Sequence, residues 1–185
     1  MTPFLSFYTP TYRRPQLLAR CQASVDAQTI PCEHIIIPDT VGIGIPGVFA
    51  SVPTHAHKVT GEYVHFLTDD DYLASNTVAA QLQAIAAAHD RPDVIIVRAI
   101  KDVRIHDHWV TLDLPLNREG PPMLGQIDLG CVVTRRDVWM AHVQDYGARY
   151  EGDFDHVHAM WRAGRRFVYT DLIVLRGKAM HGNPE

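Results

Sequence analysis

The stretch FLSFYTPTYRRPQLLARCQASVDAQTIPCEHIIIPD, residues 4–39, decides the fold class. Its first six residues are mostly aromatic and β-branched and stop at Pro10, which reads as a strand. RRPQLLARCQASVDAQ then reads as a helix. Pro15 suits its first turn, where a missing N–H leaves no bond unmade, and Leu17, Leu18, Cys21 and Val25 fall on one apolar stripe. EHIIIPD (33–39) has no polar alternation, so it reads as a strand buried on both faces and ending at Asp39. Strand, helix and strand in this order predict an α/β domain built on a parallel sheet.

Outward from there the alternation continues. GIGIPG (42–47) reads as loop and EYVHFL (62–67) as the next strand. Ser75 is placed to cap a helix with Val78, Leu82 and Ile85 on its inner face. DVIIVRAI (93–100) is another buried strand. The second half is less regular. HDHWVTLDL (106–114) and IDLGCVVT (127–134) read as strands around the loop REGPPM (118–123). A helix is expected near 135–146, and another near 153–163 with Phe154, Val157, His158 and Trp161 on one face. RFVYTD and LIVLR close the chain as strands. The expectation is one α/β domain: a Rossmann-like, mostly parallel mixed sheet flanked by helices, without repeats or a linker.

The chain has 185 residues, 46% of them hydrophobic and 21% charged, enough for one domain with a substantial core. A net charge of −4 gives no broad basic field for nucleic acid. A local basic excess over 159–178 (Arg162, Arg165, Arg166, Arg176 and Lys178) is either a solvated face or a surface for an anion. No apolar run reaches the length of a membrane span, and MTPFLSFYTP lacks the basic lead of a signal peptide. Cys21, Cys32 and Cys131 are odd in number and widely spaced, which predicts free thiols and a cytoplasmic location.

FLTDDDYL (66–73) needs a reason. Asp69, Asp70 and Asp71 repel one another, yet they follow a strand directly. In open α/β sheets ligands bind beyond the carboxyl ends of the strands. TPTYRR, Asp39 with Thr40, and TDDDY all stand at such ends. A divalent cation would offset the repulsion and bridge to phosphate oxygens. The alternative is a turn in which Asp71 helps to start the following helix.

Three segments in order carry a resemblance. Residues 4–40 resemble the opening of glycosyltransferase family 2: a strand, a Pro-Thr-Tyr turn, a helix, Ala-Gln-Thr and a strand ending in Asp. TGEYVHFLTDDDYLAS resembles that family's Gly-Glu-Tyr strand running into an Asp-x-Asp motif. EGDFDHVHAMWRAGRRFVYTD resembles its Glu-Asp helix, which ends in Ala-Gly before a strand. The match is weakest over 41–57 and 100–126.

The resemblance implies a GT-A fold, an inverting mechanism, a nucleotide-sugar donor (UDP-linked as a first choice) and a manganese or magnesium ion. Residues 1–100 would be the donor half and 101–185 the acceptor and base half. By the same resemblance Pro10, Thr11 and Tyr12 line the nucleotide pocket, Asp39 faces the base, and Asp69 contacts the ribose side. Asp70 holds the metal. Because the motif can slide by one position, Asp71 stands beside it as a ligand, and His181 matches a C-terminal metal-binding histidine. Asp153 matches the general base, although it also suits a helix start. Asp128 and Gly130 fall where the family shapes its acceptor pocket. Arg13 and Arg14 sit beside the nucleotide turn, as phosphate contacts or as first-turn surface charges.

The chain departs from the family in three places. Pro38 precedes Asp39 where the family has Asp-Asp, and Gly152 stands where it has Glu. The family's diphosphate-binding Arg has no clear counterpart; either Lys58 substitutes for it or nothing does. The pairs His55/His57, His106/His108 and His156/His158 lack a third ligand with zinc spacing. Trp109, Trp139 and Trp161 are candidates for sugar stacking or, for Trp161 above all, for the core. The acceptor stays open among a glycan, a lipid-linked glycan, a protein and a modified nucleobase. The rival functions are a non-catalytic nucleotide- or glycan-binding module on a GT-A scaffold and, last, a nucleotidyltransferase.

Overall fold

The computed structural model describes residues 2–178; His181 lies outside them. The order is β1 (Leu5–Thr11), α1 (Pro15–Asp26), β2 (Cys32–Pro38), α2 (Gly44–His55), β3 (Tyr63–Phe66), β4 (Asp71–Leu73) and α3 (Val78–Ala88). Then follow β5 (Val94–Ile105), β6 (His108–Leu114), β7 (Val132–Arg135), α4 (Arg136–His142), α5 (Gly152–Arg162) and β8 (Phe167–Lys178). The sheet order is β2-β1-β3-β7-β5-β8-β4, and β6 pairs with β5. Strands β1, β2, β3, β5 and β8 run one way, and β4, β6 and β7 the other. The sheet is thus mixed and mostly parallel. The carboxyl ends of β1, β2, β3 and β5 and the start of β7 share one edge.

Alternation along the strands supplies two cores, because successive side chains leave a strand on opposite faces. Leu5 and Phe7 of β1 share a cluster with Cys21 and Val25 of α1 and Val78 and Leu82 of α3. Tyr8 packs in a second cluster with Phe66 of β3, Phe49 and Val52 of α2 and Trp139 of α4. Each such fully buried apolar side chain contributes roughly 1.5–3 kcal/mol.

Several elements differ from the sequence reading. β1 does not stop at Pro10. The Tyr8 carbonyl accepts from Leu67 and the Thr11 carbonyl from Asp39, so residue 10 faces the side of β3, which has already ended at Phe66. A proline there forfeits no ladder bond. GIGIPG is not loop throughout, because α2 starts at Gly44. The Asp39 carboxylate accepts from the N–H groups of Val41, Gly42 and Ile43 at 2.7–2.9 Å and shapes the approach to the helix, while Pro46 needs no partner in its first turn.

Helix α3 starts from Thr77, not Ser75, and the Gln28 side chain accepts from Ala79 N–H. IDLGCVVT is a short 3₁₀ turn (Leu129–Cys131) followed by β7. RFVYTD and LIVLR form one strand, β8. The inner face of α5 is His156, Val157 and Met160. Phe154 and His158 instead stack on each other, half-buried, at 5.1 Å. The cysteines are free thiols as expected. Among the described residues no helix is long and apolar enough to cross a membrane.

Candidate active site

A cavity of about 590 Å³ opens at the carboxyl edge of the sheet. The topology, not proximity in sequence, assembles its wall. The ends of β1 and β2 bring Pro10, Thr11, Tyr12 and Asp39, and the β3–β4 turn brings Thr68, Asp69 and Asp70. The far end of β5 brings Lys101, the approach to β7 brings Asp128 and Gly130, and the first turn of α5 brings Asp153.

The three aspartates have three different fates. Asp69 is 3% exposed and locked in place. One oxygen accepts from Thr11 Oγ1 at 2.8 Å and the other from Arg14 at 3.1 Å. Burial raises its carboxyl above the ordinary range, while Thr11 and Arg14 oppose that rise. Asp70 lines the cavity, with its carboxylate 3.6 Å from the same Arg14 guanidinium. Asp71 does not line the cavity. It is the first residue of β4 and accepts from Thr68 Oγ1 at 2.7 Å and from Lys101 Nζ at 2.9 Å. Burial pushes its carboxyl up to about 6 against the pull of Lys101.

Lys101 ties the two halves of the site together. Its ammonium is 2.9 Å from Asp71 and 2.9 Å from Asp128. Burial alone would lower its affinity for the proton, but the two carboxylates outweigh burial and hold it well above the ordinary lysine value. Asp128 answers the other way: burial raises it, and Lys101 together with the Gly130 N–H brings it below the ordinary range. The Asp128 carboxylate also caps the 3₁₀ turn by accepting from Gly130 N–H at 2.8 Å. A Cβ on Gly130 would stand 2.7 Å from Leu175 Cδ2, which explains the glycine. His65 holds the Gly130 carbonyl from below at 2.9 Å; burial lowers its imidazole to about 4, so it is neutral and donates from Nε2.

Asp153 is different again. Burial and the neighbouring charge of Asp128 raise its carboxyl to about 7, against one backbone donor at Phe154 N–H, 2.8 Å away. The residue before it can only be small. A Cβ on Gly152 would collide with the Gly147 carbonyl and lie 2.7 Å from Phe49 Cδ2. Two carboxylates on one cavity, Asp128 held low and Asp153 held high, can divide the roles of fixed charge and proton acceptor.

Other expected residues fall elsewhere. Arg13 is exposed, with its guanidinium 5.2 Å above the Tyr12 ring; Arg14 takes the place on the cavity instead. Lys58 ends a 3₁₀ turn and does not line the cavity. Trp139 is buried in the second core, donating to Tyr146 Oη at 3.1 Å, and Trp109 lies under Lys178 at 3.9 Å. The aromatics near Asp153 are Tyr150 and Phe154. Among the described residues no three His, Cys, Asp or Glu side chains are grouped to hold a metal ion. The sequence reading missed Lys101. Its one signal was a lysine inside the long β-branched run of β5.

No protein-family model matches the chain, and a search of curated proteins finds no match. Solved structures match by fold. S. aureus TarS 1-349 superposes with a TM-score of 0.65 at 14% identity, over 94% of this chain and 60% of that one. The same fragment in complex with UDP-GlcNAc gives 0.65 and 14%, over 97% and 60%. The mannosyltransferase PcManGT from Pyrobaculum calidifontis, in complex with GDP-Man and Mn2+, gives 0.63 and 13%, over 97% and 57%. The chain therefore spans about 60% of the length of the TarS fragment and slightly less of PcManGT. The fold is that of the GT-A glycosyltransferases.

Proposed function

We propose that this chain transfers a sugar from a nucleotide-sugar donor to an acceptor hydroxyl, with inversion at the anomeric carbon. The observation that carries the reading is Asp153. It shares one cavity with the Thr11–Asp69–Arg14 corner, and its carboxyl is lifted to about 7. That is where a general base working near neutral pH needs it. The relatives in fold are complexed with UDP-GlcNAc and GDP-Man, which favours a nucleoside diphosphate sugar, with UDP the first to test.

In this reading Pro10, Thr11, Tyr12 and Asp39 receive the nucleoside, and Asp69, fixed by Thr11 and Arg14, fixes the ribose. Arg14 supplies positive charge toward the diphosphate, the part that the sequence reading had offered to Lys58. A manganese or magnesium ion fits Asp70. Such ions take one or two carboxylates together with substrate phosphates and water, and Asp70 is a lining residue of the cavity. When bound, the ion supplies a Lewis acid for the leaving diphosphate. Asp71 is assigned to Lys101 and not to the metal. Asp153 accepts the proton of the acceptor hydroxyl as that oxygen bonds to the anomeric carbon. The bond from that carbon to the diphosphate breaks on the opposite face. The free thiols fit a reducing compartment such as the cytoplasm.

The test is calorimetric titration with UDP, GDP, CDP and ADP, with and without manganese, on the parent and on Asp70→Ala. One nucleotide binding tightly, dependent on both manganese and Asp70, is expected. The matching nucleotide-sugars then go into a transfer assay with Asp153→Asn as the control. No nucleotide binding under any condition would remove the donor site. Binding without turnover would favour the non-catalytic module.

A further inference from the structure

The half of the cavity facing Asp153 has a wall unlike the donor half. It comes from β5, β6 and the 115–131 connection, and its side chains are Val103, Leu112, Leu114, Leu124, Ile127 and Leu129. Register explains the sidedness. Lys101 pairs with Leu112 and Ala99 with Leu114, so Ala99, Lys101, Val103, Leu112 and Leu114 share one face of the β5–β6 ribbon. The polar residues of the ribbon lie on the other face and bond there among themselves: Thr111 to Asp102 at 2.6 Å and Arg98 to Asp113 at 3.0 Å. Lys101 and Asp128 are engaged with each other at 2.9 Å, and the remaining charges of this half, Glu151 and Asp153, stand at the start of α5 and not on the ribbon. Leu124 and Tyr150, 56% and 57% exposed, continue this wall to the rim.

Hydroxyls lying along the ribbon, away from Tyr150, Glu151 and Asp153, would be left without partners, which disfavours a polyhydroxylated body there. We propose that the acceptor carries its reacting hydroxyl on an alkyl-bearing body, whose chain lies along the β5–β6 ribbon and leaves past Leu124. Tyr150 and Phe154 add rings beside Asp153, but along the β5–β6 ribbon the wall is branched aliphatic carbon, which suits a flexible chain. This inference rests on the transferase reading for the word acceptor, but the apolar subsite stands on the lining alone.

The experiment is calorimetry with alkyl β-glucosides from methyl to octyl, below their micelle concentrations, with and without UDP and manganese. Affinity should climb about three- to fourfold per methylene. Val103→Thr, close in volume, and Leu124→Ser, at an exposed position, should each flatten that climb. Equal affinity across the series, or a climb unchanged in both variants, would overturn the proposal. The nucleotide titration on the same samples reads the donor half separately. Chain-length dependence without nucleotide binding sinks the transferase reading alone; nucleotide binding with a flat series sinks this one alone.

Discussion

Replacing Asp153 with asparagine separates a catalytic base from a helix-start carboxylate by two opposite signatures. With its carboxyl near 7, Asp153 is about one-tenth ionised at pH 6 and about nine-tenths ionised at pH 8. A base must be ionised, so kcat/KM for transfer should rise about tenfold over that interval. A carboxylate at the ordinary value of 3.8 would give a flat profile there. Asp153→Asn should abolish this limb and lower the rate by about 10²–10⁴-fold. Asp128→Asn keeps an acceptor for the Gly130 N–H but removes the charge that helps lift Asp153, so the limb should move to lower pH.

Stability gives the second signature. The folded-state value lies above the unfolded one, so this group favours the folded state below pH 3.8, and that contribution is lost as pH rises through about 7. The rise from 3.8 to about 7 corresponds to a ceiling of about 4 kcal/mol, reduced by the water that reaches a half-buried carboxylate. Asparagine resembles the neutral acid, so Asp153→Asn should raise Tm at pH 8 and change it little at pH 4.5. Half of the ceiling corresponds to about 4–8 °C in a domain of this size. A carboxylate that served only the helix start would do the reverse: asparagine keeps the bond from Phe154 N–H but removes a favourable negative charge from the first turn, at a cost of about 0.3–1 kcal/mol. A parent profile flat from pH 5 to 8, or a variant less stable at pH 8, would refute the reasoning.

Two further predictions concern packing and charge. Lys101→Met strands Asp71 and Asp128 without their shared cation, and should cost about 3–5 kcal/mol in urea unfolding; a loss under about 1 kcal/mol would mean that water reaches both carboxylates. Gly152→Glu introduces a side chain that collides with the Gly147 carbonyl and Phe49, so it should lower stability by about 1–3 kcal/mol without raising transfer. Unchanged melting would sink that explanation of the glycine.

Much of this molecule was legible in its sequence, for a local reason. The runs at 4–9, 62–67 and 93–100 are apolar because the strands are covered, and periodicity reports coverage directly; the run at 33–39 is not buried on both faces, because β2 is the edge strand and only Ile35 and Ile37 in it are buried. Periodicity placed the sheet edge, the aspartate triplet beside it and Asp153 at the start of a helix. The errors arose where neighbours in space decide. GIGIPG carries the residues of a loop, yet Asp39 gathers three backbone donors and a helix begins at Gly44. The face of α5 is set by what packs against it, so His156 and Met160 lie inside while Phe154 and His158 stack on each other half-buried.

The site shows the same division. The sequence by itself determined that three adjacent carboxylates stand beyond a strand. Only the tertiary structure decided that Asp69 is held by Thr11 and Arg14, that Asp71 belongs to Lys101, and that Asp70 lies on the cavity wall. It also chose Arg14 over Arg13 and gave Asp128 and Asp153 opposite tendencies to hold a proton. A side chain's type is written in the chain, but its charge and availability depend on burial and on partners such as Lys101 and Thr11, 30 and 58 residues away. Those partners meet only when the sheet has formed.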